Sequence, residues 1–295
     1  MKGIWSRVVL LLLLGAAVVW TWTAGFAAWK EEPVQPQTNW PEREAPQVKV
    51  VAHRGGAAHA PENTLAALAR AIAAGANLAE IDLRMTKDGG IIALHDETLT
   101  RTTGSDHPVS GLDMETVRTL DAGGWFSAEF QGEPVPTLTE LLEAARGKIR
   151  LMLELKHTQS DQTLLERTVE QIRSRGMEEA CVLACGDLEL LRRGKELAPE
   201  LENVYIGESL GPELWEASFV DGYSINFTAL TAQNVEQAHQ KGRAVYAWTV
   251  NERQDIAAVL ELGVDGLVTD DPDLALELLK EPKPKPDLCR CVKIY

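Results

Sequence analysis

The sequence predicts an α/β fold: one parallel (β/α)8 barrel with a small insertion, preceded by one N-terminal transmembrane helix. Three observations predict it. Short strand-like apolar runs alternate with helical patterns along most of the chain, and that alternation implies a parallel sheet. The 295 residues accommodate one barrel of about 250 residues. An apolar share of 45% and a charged share of 25% are ordinary for a globular protein, which excludes a disordered chain, a collagen and a polytopic membrane protein.

The elements follow in chain order. Val8–Trp29 carries no charge and, at about 1.5 Å per residue, is long enough to span a bilayer core of about 30 Å. Trp5, Trp20, Trp22 and Trp29 lie in or beside it, as interfacial aromatics do. Lys2 and Arg7 precede the run while Lys30, Glu31 and Glu32 follow, so residues 1–29 read as a single-pass anchor in the cell membrane with the rest of the chain extracytoplasmic. A cleaved signal peptide, with Gly25-Phe26-Ala27 before the cut and a secreted product, is the alternative, and the length of the run favours the anchor. Residues 30–47, with four prolines and no apolar periodicity, read as a stiff linker.

The barrel is expected over 48–281. Nine strand candidates are visible: Lys49–Arg54, Leu78–Met85, Ile91–His95, Arg150–Lys156, Ala180–Cys185, Asn203–Gly207, Gly222–Phe227, Ala244–Val250 and Gly266–Thr269. Nine exceeds a barrel's eight, and the turn Lys87-Asp88-Gly89-Gly90 marks one of the early strands as a hairpin arm. A first helix is expected to open at Pro61, bury Leu65, Leu68 and Ile72, and close at Gly75. Further helices are expected over Leu164–Arg175, Leu188–Glu196, Thr231–Lys241 and Arg253–Leu262, with Gly176, Gly242 and Gly263 ending three of them. Residues 97–137 interrupt the alternation, with one short helix near Met114–Leu120, and read as an insertion at one end of the barrel. Residues 282–295 read as a flexible tail containing Cys289 and Cys291. Cys181 and Cys185 bracket an apolar run and read as core residues, and four cysteines do not make a disulfide scaffold.

Charge narrows the partners. The first 29 residues hold only Lys2 and Arg7, so the rest carries 27 basic against 44 acidic residues, a net −17. Such a body repels nucleic acid. An anionic substrate must find its positive charge locally.

Reactive side chains in parallel barrels sit at the carboxyl ends of strands. Here those ends carry His53-Arg54, Glu80-x-Asp82, His95-Asp96 and Glu154-x-Lys156. Residues two apart on a strand share a face, so Glu80 and Asp82 project together, as do Glu154 and Lys156. Three converging carboxylates repel one another unless a cation joins them, and oxygen ligands suit Ca²⁺ or Mg²⁺ rather than Zn²⁺. His59 lies near enough in sequence to approach this site, whereas His107, His157 and His239 read as loop or surface residues.

The strings HRGGAAHAPENT (53–64), EIDLRMTKDG (80–89), LHDETLTRTT (94–103), LDAGGWF (120–126), PTLTELL (136–142), ELK (154–156), AWTVN (247–251) and GVDGLVTDDP (263–272) closely resemble the glycerophosphodiester phosphodiesterase family. The resemblance implies a TIM barrel of the phosphodiesterase type and metal-dependent hydrolysis of glycerophosphodiesters to sn-glycerol 3-phosphate and an alcohol. It implies His53 and His95 as the catalytic pair and Glu80, Asp82 and Glu154 as ligands of a divalent metal, Ca²⁺ or Mg²⁺. Arg54 and Lys156 become phosphate contacts, Glu62 a supporting hydrogen-bonding residue, and Trp248 a wall of the glycerol pocket. Cys185 stands where many relatives have a serine before a phenylalanine, a departure from the family pattern that leaves this part of the pocket, and with it the leaving-group preference, open. The partner is a small phosphodiester. A lysophospholipase D or phospholipase-type activity on a lipid is the nearest rival reading, and a non-catalytic anchored binding module the more distant one.

Overall fold

The structure, a computed structural model, describes residues 48–156 and 161–280. The expected membrane segment and linker, His157, and the tail with Cys289 and Cys291 lie outside the described residues. Among the described residues no helix is long and apolar enough to cross a membrane.

Among the described residues nine strands form: β1 (Lys49–Ala52), β2 (Leu78–Met85), β3 (Ile91–Ala93), β4 (Arg150–Leu155), β5 (Cys181–Cys185), β6 (Glu202–Gly207), β7 (Gly222–Asn226), β8 (Ala244–Trp248) and β9 (Gly266–Thr269). Their order is β1-β9-β8-β7-β6-β5-β4-β2-β3, and β1 also pairs with β2. That last pairing, Val51 opposite Leu78 and Ala52 opposite Ala79, closes eight parallel strands into a barrel. The ninth, β3, runs antiparallel to the end of β2, with Leu83 opposite Ala93. It is the expected hairpin arm. β2 is long enough to overrun the barrel, and Thr86 turns it back: its hydroxyl donates to Asp88 Oδ1 at 2.6 Å and accepts from Gly90 N at 2.9 Å.

Strand periodicity sorts the side chains into two layers. Val51, Leu78, Met152, Val182, Ala184, Val204, Tyr246 and Val268 pack together inside the barrel. The alternate residues, among them Leu153, Leu183 and Ile225, pack outward against the helices. Cys185 belongs to this outer layer. Its Sγ donates to Leu155 O at 3.4 Å and accepts from Asp187 N at 3.3 Å. It therefore faces the helices, and the expectation that it bears on the substrate pocket is corrected. Cys181 and Cys185 are both buried, as expected of core residues.

The helices agree with expectation to within a few residues, with one instructive difference. The first helix spans Leu65–Ala74 rather than opening at Pro61. Asn63 adopts a left-handed φ of 56° and cannot continue a helix. Thr64 is the N-cap, its hydroxyl accepting from Ala67 N at 3.1 Å. Pro61-Glu62-Asn63 is thus a turn that presents two polar side chains. Gly75 closes the helix in a left-handed cap, as expected. Five strand candidates end one or two residues early, and because β1 stops at Ala52 and β3 at Ala93, His53 and His95 stand just beyond their strands. The insertion contains short helices at Thr100–Thr103 and Met114–Val117 and a small core of its own built on Ile92, Leu94, Leu99, Val109, Val117, Ala122 and Val135.

His53–Gly55 forms a tight turn seated on the first helix. Gly55 has φ +86°, and a Cβ there would lie 2.9 Å from Ala67 Cβ. Gly55→Ala is expected to destabilise the fold by about 1–3 kcal/mol through backbone strain and that clash, read as a lowered midpoint in urea unfolding.

Candidate active site

The charged candidates lie on β2 and β4 or in the loops that follow β1, β3 and β4, at the carboxyl mouth of the barrel. Glu80 and Asp82 sit in the buried middle of β2, on its inner face with Leu78. Asp82 lies opposite Glu154 in the β2–β4 register. Glu80, Asp82 and Glu154 place ligand-type oxygens within 4.8 Å of one another. Lys156, just past β4, puts its ammonium 2.9 Å from Asp82 Oδ1 and 2.8 Å from Glu154 Oε1.

The three carboxyls are not equivalent. Burial raises the Glu80 pKa well above its ordinary 4.5, and the charges of Asp82 and Glu154 push it further, so Glu80 keeps a proton most readily. Glu154 is raised by burial and by Asp82. Asp82 is lowered: burial alone would raise it, but Lys156, Arg54 and His95 outweigh that, and Asn63 Nδ2 donates to it at 2.7 Å. Asn63 is fixed in turn by Asp82 N, which donates to its Oδ1 at 3.0 Å. Glu80 Oε2 accepts from Arg54 N at 2.8 Å, while Glu80 Oε1 is buried with no hydrogen-bond partner among the described residues. An orphaned carboxylate oxygen facing two further carboxylates fits a hard divalent cation, and these three residues would hold it.

The two histidines share a design. His53 Nδ1 lies 2.6 Å from Asp270 Oδ1, and His95 Nδ1 lies 2.7 Å from Asp96 Oδ1. A carboxylate on Nδ1 selects the tautomer that carries its proton there and leaves Nε2 as the working nitrogen. Asp270 is braced by Asn251 Nδ2 at 2.6 Å, and Asn251 Oδ1 accepts from Asp270 N at 2.9 Å. His95 is held from behind as well, since buried Arg84 donates to its carbonyl oxygen from Nε at 2.9 Å and Nη2 at 2.7 Å. The His95 pKa is lowered, chiefly by burial and also by Lys156 and Arg54, against the pull of Asp82 and Asp96. Asp96 is pushed down to about 2, first by its hydrogen bond from Arg101.

Arg54 Nη1 donates to Glu62 Oε1 at 2.8 Å, and its Nε lies 3.5 Å from Asp82 Oδ2 without a hydrogen bond. Trp248 ends β8 at the same mouth, its indole Nε1 donating to Ser224 O at 3.0 Å. His59 is exposed and pairs with Asp271 at 3.0 Å. His107 and His239 are exposed, and His239 pairs with Asp265 on the opposite side of the barrel, before β9.

Sequence reasoning missed four participants. Asp270 and Asn251 lie 217 and 198 residues along the chain from His53, and only barrel closure joins them to it. Parity offered a signal for Asp270, because counting by two from inward Val268 lands on it. Asn63 sits in a turn and Arg101 in a four-residue helix, both too short to show periodicity.

A closed parallel barrel whose carboxyl mouth gathers three carboxyls, two cations and two carboxylate-tethered imidazoles is the frame of a barrel enzyme. The sequence profile of the Glycerophosphoryl diester phosphodiesterase family matches residues 53–274, and the chain belongs to that family and to its enzyme class, the phosphoric diester hydrolases. It is 33% identical over 240 residues to a glycerophosphodiester phosphodiesterase of Caldanaerobacter subterraneus subsp. tengcongensis, covering 79% of this chain and 98% of that one. It is 31% identical to the Bacillus altitudinis glycerophosphodiester phosphodiesterase, covering 80% and 99%. Among solved structures, an Oleispira antarctica phosphodiesterase in complex with the product sn-glycerol-3-phosphate superposes with a TM-score of 0.76 at 28% identity, covering 79% of this chain and 97% of that one.

Proposed function

We propose that this chain hydrolyses small glycerophosphodiesters to sn-glycerol 3-phosphate and an alcohol, using a divalent cation, Ca²⁺ or Mg²⁺, and a two-histidine acid–base mechanism. The observation that carries this reading is the orphaned, buried Glu80 Oε1 within a trio of carboxyls, in a mouth that also holds two imidazoles tethered at Nδ1. Glu80, Asp82 and Glu154 hold the cation, which when bound neutralises charge on the phosphoryl oxygens. Arg54 presents a guanidinium to the same phosphate, and Lys156 adds a point charge. One of His53 and His95 takes a proton at Nε2 from the attacking oxygen, and the other gives one to the leaving alcohol. Trp248 walls the glycerol end of the pocket, and Glu62 keeps Arg54 in place. The uncharged run Val8–Trp29, with basic residues before it, supports a barrel tethered to the outer face of the cell membrane.

The test is release of sn-glycerol 3-phosphate from glycerophosphocholine by the full chain, with Ca²⁺, Mg²⁺ or excess chelator. Cation-dependent release is expected. No release with either ion, together with release from a lysophospholipid, would move the activity to a lipid substrate.

A further inference from the structure

Arg101 is carried by the short helix Thr100–Thr103 of the insertion, outside the strand ends that supply the rest of the site. Its guanidinium spends four N–H···O contacts on two carboxylates. Nη1 donates to Glu62 Oε2 and Nη2 to Glu62 Oε1, each at 2.7 Å. Nε donates to Asp96 Oδ2 at 2.8 Å, and Nη2 reaches Asp96 Oδ1 at 3.1 Å. Each carboxylate also meets one further side chain of the site. Glu62 Oε1 accepts from Arg54 Nη1, and Asp96 Oδ1 faces His95 Nδ1. An unbroken chain of charge-assisted contacts therefore runs His95–Asp96–Arg101–Glu62–Arg54. Trp125, also on the insertion, lies against Arg101, with the guanidinium carbon 5.9 Å from its ring centroid.

We propose that Arg101 is a positioning residue that fixes His95 and Arg54 relative to one another, so that the insertion is part of the frame of the active site. The inference rests on the hydrolase reading above. A single contact to His95 would leave the Asp96 carboxylate free to rotate about its terminal torsion, and the paired contacts from Arg101 set its plane. The same holds for Glu62, where Arg101 also draws off charge that would otherwise concentrate on Arg54 and compete with a phosphate. Lysine cannot replace it, because an ammonium has no planar fork to grip two carboxylates at once. Arg101 touches none of the three candidate cation ligands, so its loss leaves cation binding in place.

The experiment compares the full-length parent with Arg101→Ala and Arg101→Lys on glycerophosphocholine at saturating cation, alongside the imidazole N–H spectrum without substrate. Arg101→Ala is expected to lose about 100-fold in kcat/KM, the scale of a displaced catalytic group. Arg101→Lys is expected to recover little of that loss. Millimolar guanidinium should raise the turnover of the alanine variant but not of the lysine variant. The His95 Nδ1–H signal, identified by its absence in His95→Ala, should broaden in Arg101→Ala while that of His53 persists, and the thermal shift produced by the cation should remain. Parent-like kcat/KM in Arg101→Ala would overturn the proposal, as would an unchanged His95 signal, or activity lost together with the cation's thermal shift. A parent that cleaves no diester defeats the hydrolase reading instead, since the imidazole signals are read without substrate.

Discussion

His95→Ala is expected to lower turnover of glycerophosphocholine by about 10²–10⁴-fold with the barrel still folded, and His53→Ala by the same order. The size follows from the role. Each imidazole is held at Nδ1 by its own carboxylate, Asp96 or Asp270, which leaves Nε2 as the nitrogen that meets substrate. Neither alanine variant leaves a deep cavity, because the two side chains lie at the rim and are 35% and 21% exposed. Stopped or initial-rate turnover at saturating substrate, with thermal midpoints beside it, reads both parts. His239→Ala is the matched control, an exposed histidine paired with Asp265 at the far end of the barrel, and should turn over at the parent rate. A parent rate in either of the other variants would remove that histidine from the chemistry.

The barrel was legible because strands buried on both faces read as apolar runs, and a parallel sheet needs a helix between them. The supernumerary β3 was legible too, since Lys87-Asp88-Gly89-Gly90 leaves no room for a crossover helix. The first helix was misplaced because proline at an N-terminal turn is an ordinary helix start, whereas Asn63 leaves the helical region to reach Asp82, a contact that exists only after β2 has folded beside it. The acidic trio could be read from period-two spacing within single strands. What orients the trio and the imidazoles was harder to read: strand parity pointed to Asp270, but Asn251 and Arg101 act across long stretches of chain, and nothing in their local sequence distinguishes them from solvated loop polar residues. Cys185 shows the opposite error. Resemblance drew it into the pocket, yet the alternation that puts Ala184 inside the barrel puts its neighbour outside.

Removing the divalent cation is expected to abolish turnover, and excess chelator followed by added Ca²⁺ or Mg²⁺ should abolish and then restore it. The electrostatics of Glu80 make this prediction sharper than a loss of activity. Burial, Asp82 and Glu154 raise its pKa well above 4.5 in the folded chain, so without an ion the folded state keeps a proton that the unfolded chain has already released. That proton contributes stability at low pH, and the contribution is lost as pH rises through the raised pKa. A bound cation takes over the proton's place, so binding releases a proton and is favoured at higher pH. The thermal shift produced by Mg²⁺ or Ca²⁺ should therefore grow as pH rises through the raised pKa values of Glu80 and Glu154, and a cation at 100 times its Kd contributes about 2.7 kcal/mol. Glu80→Gln keeps the side chain's size but can no longer ionise, and should weaken cation binding and flatten this pH dependence. Asp82, held low by Lys156 and Arg54, stays ionised and contributes no such slope, so the pH dependence left in Glu80→Gln belongs to Glu154. Full turnover in excess chelator would overturn the metal reading. A thermal shift that does not grow with pH would overturn the exchange of a proton for the ion at Glu80 and Glu154.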